Sequence, residues 1–441
     1  MHNALLKNYK FLNCLRYLNL RQFAIKSNSI VLLLVVFLSL PNTLLAQNNA
    51  DSIKLNRWDA LMNWNFIALP YPSYSPETSW QFGITGVWYF HTSKQCQQFS
   101  DLNFDMGYTL NRQWYINANS RIYFNTKTRW FLDTYLSAKH YPDLFFGTTN
   151  NIDSVYNPAI RYTANFIDLQ ARPSFYITTH WLAGANIRLR YENSQLNTTE
   201  PQTAQYCPPV LGGRAQRAEG VNNSQQSTVN SQQLTQNGFG ENFFLGLGAN
   251  ISYDTRSNNY YPLHGLFFKT TITYYQQIPF GSEQSTVNGQ QNCGSFLTPN
   301  SSFLIQIDLR HYIPLYKELI LAWNFRSECA VGGDVPFQLL PTIGGQDLVR
   351  GIRQNKFKDN TLFALQAELR IPIWRFLKGA VFGSVGDVYN YNHWQWTTPK
   401  IGYGAGLRAC IHQAKTNIRF DVARQNYSNN WSFYFTVKEA F

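Results

Sequence analysis

The chain repeats one pattern along most of its length: a stretch of alternating apolar and polar residues, then a polar break. A period of two places successive side chains on opposite faces of a strand. Between Thr361 and Ile371, the residues Phe363, Leu365, Ala367, Leu369 and Ile371 share one face. Leu362, Ala364, Gln366, Glu368 and Arg370 share the other. Trp181–Tyr191 sets Ala183, Ala185, Ile187 and Leu189 against Gly184, Asn186, Arg188 and Arg190. Leu319–Glu328 sets Leu319, Leu321, Trp323 and Phe325 against Ala322, Asn324, Arg326 and Glu328. Ile401–Ile411 sets Tyr403, Ala405 and Leu407 against Gly402, Gly404, Gly406 and Arg408. One face is always apolar and the other tolerates charge, as in a wall with hydrocarbon outside and water inside.

A soluble β-sandwich also alternates, but three features separate the two architectures. The strands run to about 10 residues or more, the length a tilted membrane strand needs, where soluble strands average about 5–6. Short connections, such as 313–317 and 412–415, alternate with long ones at 192–241, 278–301 and 331–360. Tyr, Trp and Phe crowd the strand ends, as interfacial girdles do. Counting back from the C-terminus, strands near 431–441, 415–425, 401–411, 377–388, 361–371, 318–330, 302–312, 264–277 and 242–255 precede the long 192–241 connection. Before it come 181–191, 160–177, 129–139, 113–124, 99–109, 80–91 and a short strand at 62–69 that stops at Pro70 and Pro72. The pattern predicts an all-β, antiparallel transmembrane barrel of about 16 strands, with both chain ends in the periplasm.

Composition agrees with that reading. Only 14% of the 441 residues are charged and 16% are aromatic, where a soluble domain averages about 25% charged. A mean hydropathy of -0.31 excludes a bundle of transmembrane helices. Residues 1–46 read as a secretory signal: five basic residues, the apolar run Ile30–Leu40, and a cleavage point after Ala46. Loss of the signal takes the net charge from +12 to +7, and the remaining cations form no stripe of the kind nucleic-acid binders show. Residues 47–61 are then a short periplasmic segment and 62–441 the barrel, placed in the outer membrane of a Gram-negative-type bacterium.

Candidate chemistry is sparse. The histidines sit at turns and strand ends without ligand spacing, and neither a phosphate loop nor a serine elbow is present. The chain predicts no enzyme, cofactor or metal. Cys207 and Cys293 fall in adjacent outer loops of an oxidising compartment. They are the candidate disulfide pair, bridged or free, since spacing sets no connectivity.

Four segments resemble the barrel of the outer-membrane-protein assembly superfamily, the BamA/TamA-like bacterial surface antigens. Ser252-Tyr253-Asp254-Thr255-Arg256, with Pro262 and Gly265, resembles the family's turn between two central strands. Gly344 and Gly345, with Val349-Arg350-Gly351, resemble its inward-folded sixth loop. Gly402–Arg408 and Ile418–Asp421 resemble its following strands. Phe433, Phe435 and the last residue, Phe441, resemble its C-terminal recognition signal. Two positions depart from the family pattern: Ile352 stands where an aromatic usually follows Arg-Gly, and Ser384 stands where an Asp is usual. The family's POTRA repeats are not found in this sequence.

The resemblance implies that the loop around Arg350 folds back into the lumen. Glu368, on the polar face of the next strand, is its expected carboxylate, accepting from the guanidinium fork. A short first strand ending in prolines, which cannot donate ladder hydrogen bonds, implies a weak seam that opens or templates an incoming strand. The expected function is help in inserting, translocating or folding outer-membrane or surface proteins. The expected partners are the outer-membrane bilayer, client proteins and a periplasmic or lipoprotein partner, with no nucleic acid. The competing reading is a passive pore or structural barrel, because fold alone does not give function.

Overall fold

The alternating stretches pair with their sequence neighbours, and the last pairs with the first. The computed structural model describes residues 65–441 apart from 76–77, 93–98, 125–128, 149, 151–159, 198–237, 281–300, 333–334, 375, 395, 411–416 and 438. The signal at 1–46, the segment at 47–61, Cys207 and Cys293 all lie outside the described residues. The wall begins with β1 (Phe66–Ser75), β2 (Ser79–Phe90), β3 (Ser100–Thr109) and β4 (Trp114–Tyr123). It continues through β5 (Trp130–Phe145), β6 (Ile160–Tyr176), β7 (Trp181–Leu196) and β8 (Gly240–Asp254). Next come β9 (Gly265–Phe280), β10 (Ser301–Tyr316) and β11 (Leu319–Gly332). A two-residue hairpin, β12 (Thr342–Ile343) with β13 (Phe357–Lys358), then lies within the sixth loop. β14 (Thr361–Trp374), β15 (Leu377–Tyr389), β16 (Lys400–Cys410), β17 (Asn417–Gln425) and β18 (Ser428–Val437) complete the wall. Sixteen strands, all but the loop hairpin, form a closed antiparallel barrel.

Residue type follows the face. In β14, Phe363 and Leu365 are exposed on the outer wall, whereas Leu362, Gln366, Glu368 and Arg370 are buried in the lumen. The wall is uneven. β1–β4 have 10–12 residues and β16–β18 have 9–11, about what one tilted membrane crossing requires. β5–β11 have 14–17, and their extra length rises at the end that bears the long loops. There the lumen face is apolar, not polar as alternation alone suggests. Phe145, Tyr162, Phe244, Tyr275 and Leu304 surround Phe337, Leu339 and Leu340 of the sixth loop. Full burial of such a side chain stabilises by about 1.5–3 kcal/mol, so the loop brings its own core into the barrel.

Both ends of the wall differ from expectation. β1 runs to Ser75 and contains Pro70 and Pro72 instead of stopping before them. The Tyr89 N–H donates to the Asn65 carbonyl at 2.7 Å, so odd-numbered β1 residues face β2. Even-numbered ones, both prolines included, therefore face β18. The strand tolerates them because that edge is nearly unpaired. β1 pairs with β2 from Phe66 opposite Trp88 to Ser75 opposite Ser79. Against β18, the described residues show one register pair, Tyr74 opposite Phe433 near the loop end. At the other terminus β18 ends at Val437 and not at 441. The tail turns into the lumen, where Phe441 packs on Tyr261, Tyr312, Ile320 and Ala322.

Candidate functional site

The sixth loop enters the lumen because its backbone can turn there. Gly344, Gly345 and Gly351 adopt φ of 105°, 90° and 98°, values open to glycine and costly for other residues. Val349 also sits at φ 52°, a strained conformation for a β-branched residue. Its burial with Ile343, Leu348, Ile352, Phe357, Leu362 and Val388 offsets that strain. Ile352 fills this apolar cluster in place of the aromatic usual in the family. The Gly345 N–H donates to the Ile352 carbonyl at 3.0 Å and closes the turn. Gly402 in β16 gives the loop room: a Cβ there would collide with the Arg350 carbonyl oxygen.

The structure brings Arg350 and Glu368 together and adds a second acid. Arg350 Nη2 donates to Glu368 Oε2 at 2.9 Å, and Nη1 donates to Asp421 Oδ2 at 2.6 Å. The fork is split between two carboxylates and is not seated bidentately on one. The guanidinium carbon lies 3.4 Å above the Phe382 ring. The Gly351 N–H donates to the Tyr434 hydroxyl at 3.2 Å. Asp421 belongs to the Ile418–Asp421 motif, but sequence reading gave it no role beside Arg350. Its meeting with Arg350 depends on the register of β16 and β17. Ser384, standing in the acidic position of the family pattern, donates to the Gly402 carbonyl at 3.0 Å instead.

Three more arginines complete the cluster. Arg408 bonds Asp421 Oδ1 at 2.6 Å, Glu368 Oε2 at 3.1 Å and Glu439 Oε2 at 3.2 Å. Arg370 Nε bonds Glu368 Oε1 at 3.0 Å, and its Nη2 donates to the main-chain oxygen of Phe441 at 3.2 Å. Arg419 holds the Gln346 carbonyl at 3.0 Å and Asp347 Oδ1 at 3.1 Å. All four guanidiniums are fully buried, and four carboxylates (Asp347, Glu368, Asp421 and Glu439) balance their charge. The loop from one end of the barrel and the tail from the other therefore bind one ion cluster. On the far wall, Arg353 Nη2 bonds Asp143 Oδ1 of β5 at 2.7 Å, so the loop spans the lumen.

The remaining candidates fall elsewhere. In the β8–β9 turn, Arg256 donates to Asp254 from Nε at 2.9 Å and Nη2 at 2.7 Å. Gly265 has φ 111° there, with no space for a Cβ beside the Thr255 carbonyl, and Pro262 is buried. Phe433 is exposed on the outer wall. Phe435 stacks on Tyr71 across the seam, with centroids 5.3 Å apart. The Tyr71 hydroxyl donates to Asp105 Oδ1 at 2.6 Å and meets the Tyr115 hydroxyl at 2.6 Å. Sequence reading missed this contact because it joins residues more than 300 positions apart.

Wall and lumen together define a class: a transmembrane β-barrel whose own loop is tied into the lumen by a buried arginine cluster. The chain belongs to the Omp85 superfamily, whose domain matches residues 95–441, and it is an outer-membrane protein of that type. Solved structures similar to it include BamA from Haemophilus ducreyi lacking POTRA domains 1-3, at 12% identity over 85% of this chain and 70% of that one, TM-score 0.49. CdiB from Acinetobacter baumannii is 12% identical over 84% of this chain and 59% of its own, TM-score 0.49. CdiB from Escherichia coli is 11% identical over 85% of this chain and 62% of its own, TM-score 0.48. The chain thus spans about three fifths of the two CdiB proteins. Comparison with curated protein sequences gave no significant match.

Proposed function

We propose that the barrel assists the insertion, translocation or folding of outer-membrane or surface proteins, with a periplasmic partner delivering the client chain. The seam carries this reading. Beyond the Tyr74–Phe433 pair, away from the long loops, the edge of β1 facing β18 presents the carbonyls of Pro70 and Pro72 but no donors at those positions. A closed ladder has no edge to offer, whereas an underpaired strand is a template for another chain. What holds this stretch shut is side-chain contact: the Tyr71–Phe435 stack, with the Tyr71 hydroxyl fastened to β3 and β4. An aromatic pair contributes about 0.5–1.5 kcal/mol beyond its buried area, less than a ladder of backbone hydrogen bonds. Family membership agrees with this use of the seam. The sixth loop and the tail inside the lumen weigh against a steady open pore.

The test is a disulfide across the one paired position, Tyr74→Cys with Phe433→Cys, in a background with the native cysteines replaced by serine. The purified barrel is reconstituted in liposomes and offered an unfolded client barrel. The oxidised double variant is expected to lose acceleration of client insertion and to regain it on reduction. Equal activity of the locked and reduced forms would overturn the reading. Large steady conductance in a planar bilayer would favour the passive pore.

A further inference from the structure

A cavity of about 560 Å³ lies in the half of the lumen away from the long loops. Six cations line it: Arg121, Arg172, Arg256, Lys269, Arg310 and Arg326. Four of them are spoken for. Arg121 pairs with Asp133 at 2.7 Å, Arg256 with Asp254 at 2.7 Å, Arg310 with Asp308 at 2.5 Å and Arg326 with Glu328 at 2.6 Å. The other acids on the wall are also engaged: Asp101 accepts from Asn103, and Glu439 binds Arg408 and Asn417. Arg172 and Lys269 remain. Among the described residues neither has a carboxylate within ion-pair distance. Arg172 donates from Nη2 to the Gln170 amide oxygen at 2.6 Å, and its buried Nε has no partner.

The two cations stand on β6 and β9, three strands apart, about 14 Å across the strands, with Lys269 four residues along β9 from Thr273, the position level with Arg172. Side chains of this length, converging on the curved lumen, can reach one small anion between them. Thr271, Thr134 and Gln306 on the same wall add neutral donors. Two like charges facing one chamber repel, and low-dielectric walls focus their field. A counter-anion with two charges removes the repulsion. The guanidinium fork suits a tetrahedral oxyanion, while the ammonium acts as a point charge.

We propose that Arg172 and Lys269 form a binding site for a doubly charged oxyanion of the phosphate class, either free phosphate or the phosphate end of a small ester. The site is independent of the seam, and its test reads binding and not assembly.

The experiment is calorimetric titration of the detergent-solubilised barrel with inorganic phosphate, and separately with glycerol 3-phosphate, at ionic strength held constant with chloride. Folding of every variant is checked by heat-modifiable gel migration. The native chain is expected to bind one phosphate saturably at millimolar concentration or below. Arg172→Gln and Lys269→Gln should each weaken binding at least tenfold and together abolish it. Lys139→Gln, a lumen cation outside the cavity, should change it less than twofold. Tighter binding of the ester than of free phosphate would identify an ester as the natural occupant, and the reverse would identify the free ion. If Arg172→Gln does not fold, Arg172→Lys, which keeps the charge and loses the fork, should still weaken binding. No saturable binding by the native chain, or equal affinity in the double variant, would overturn the proposal.

Discussion

Glu368 should matter more to the barrel than Arg350, although the two are partners. Glu368 accepts hydrogen bonds from Arg350, Arg370 and Arg408. Among the described residues it is the one acidic side chain within ion-pair distance of Arg370. Glu368→Ala therefore leaves a fully buried guanidinium with only the Phe441 main-chain oxygen, and breaking a buried pair in this way costs about 3–5 kcal/mol. Arg350→Ala leaves no acid stranded. Glu368 keeps Arg370 and Arg408, and Asp421 keeps Arg408 at 2.6 Å and Arg419 at 3.4 Å. Its loss is mainly the desolvated stack on Phe382, about 2 kcal/mol, together with the loop anchor. The double variant removes one charge of each sign, so its cost should fall short of the sum by about 0.5–3 kcal/mol. The assay is denaturant unfolding in detergent micelles, followed by gel mobility and tryptophan fluorescence, with protease access to residues 335–360 read in parallel. A larger penalty for Arg350→Ala than for Glu368→Ala would refute this account of the cluster, as would strict additivity.

Gly402→Ala should release the sixth loop without touching a charge, because its Cβ would take the place of the Arg350 carbonyl oxygen; the readout is protease cleavage within 335–360 while gel mobility stays that of a folded barrel. Glu439→Gln combined with Phe441→Ala should loosen the same loop from the opposite end of the lumen, since the tail binds Arg408 and Arg370; hydrogen exchange in 343–352 indistinguishable from the native chain would deny that coupling. Lys358 lies buried in the loop hairpin over the Phe337 ring, and burial pushes its ammonium pKa down to about 8. A lowered lysine pKa means that the undocked loop holds the proton in the range where the docked loop has released it, so docking strengthens as pH rises from about 8 to 10.5. The change amounts to about 3 kcal/mol. Loop protection should rise over that range, and Lys358→Met should flatten the rise.

Much of this molecule was written in local pattern. Alternation over β14 placed Glu368 and Arg370 inside and Phe363 and Leu365 outside without any knowledge of neighbours, because side-chain direction in a strand depends only on parity. The same parity put Arg408 on the lumen face, and the glycines at 344, 345 and 351 marked a loop able to turn sharply. What parity does not contain is register and closure. Which lumen acid meets Arg350 is settled by how β16 and β17 slide against each other, and that stagger made Asp421 a second partner and split the fork. The prolines in β1 announced a break in hydrogen bonding, yet the strand ran through them because its β18 edge demanded no donors. Phe441 reads as the end of a strand and lies instead in a lumen pocket built by Tyr261, Tyr312 and Arg370, residues up to 180 positions away. The apolar chamber around Phe337 has the same origin: its lining comes from strands whose inner faces meet a loop, and only the closed wall brings them together. Local sequence determined which way each side chain points; the tertiary structure decided what stands opposite, because contacts across a lumen depend on the stagger of sixteen strands at once.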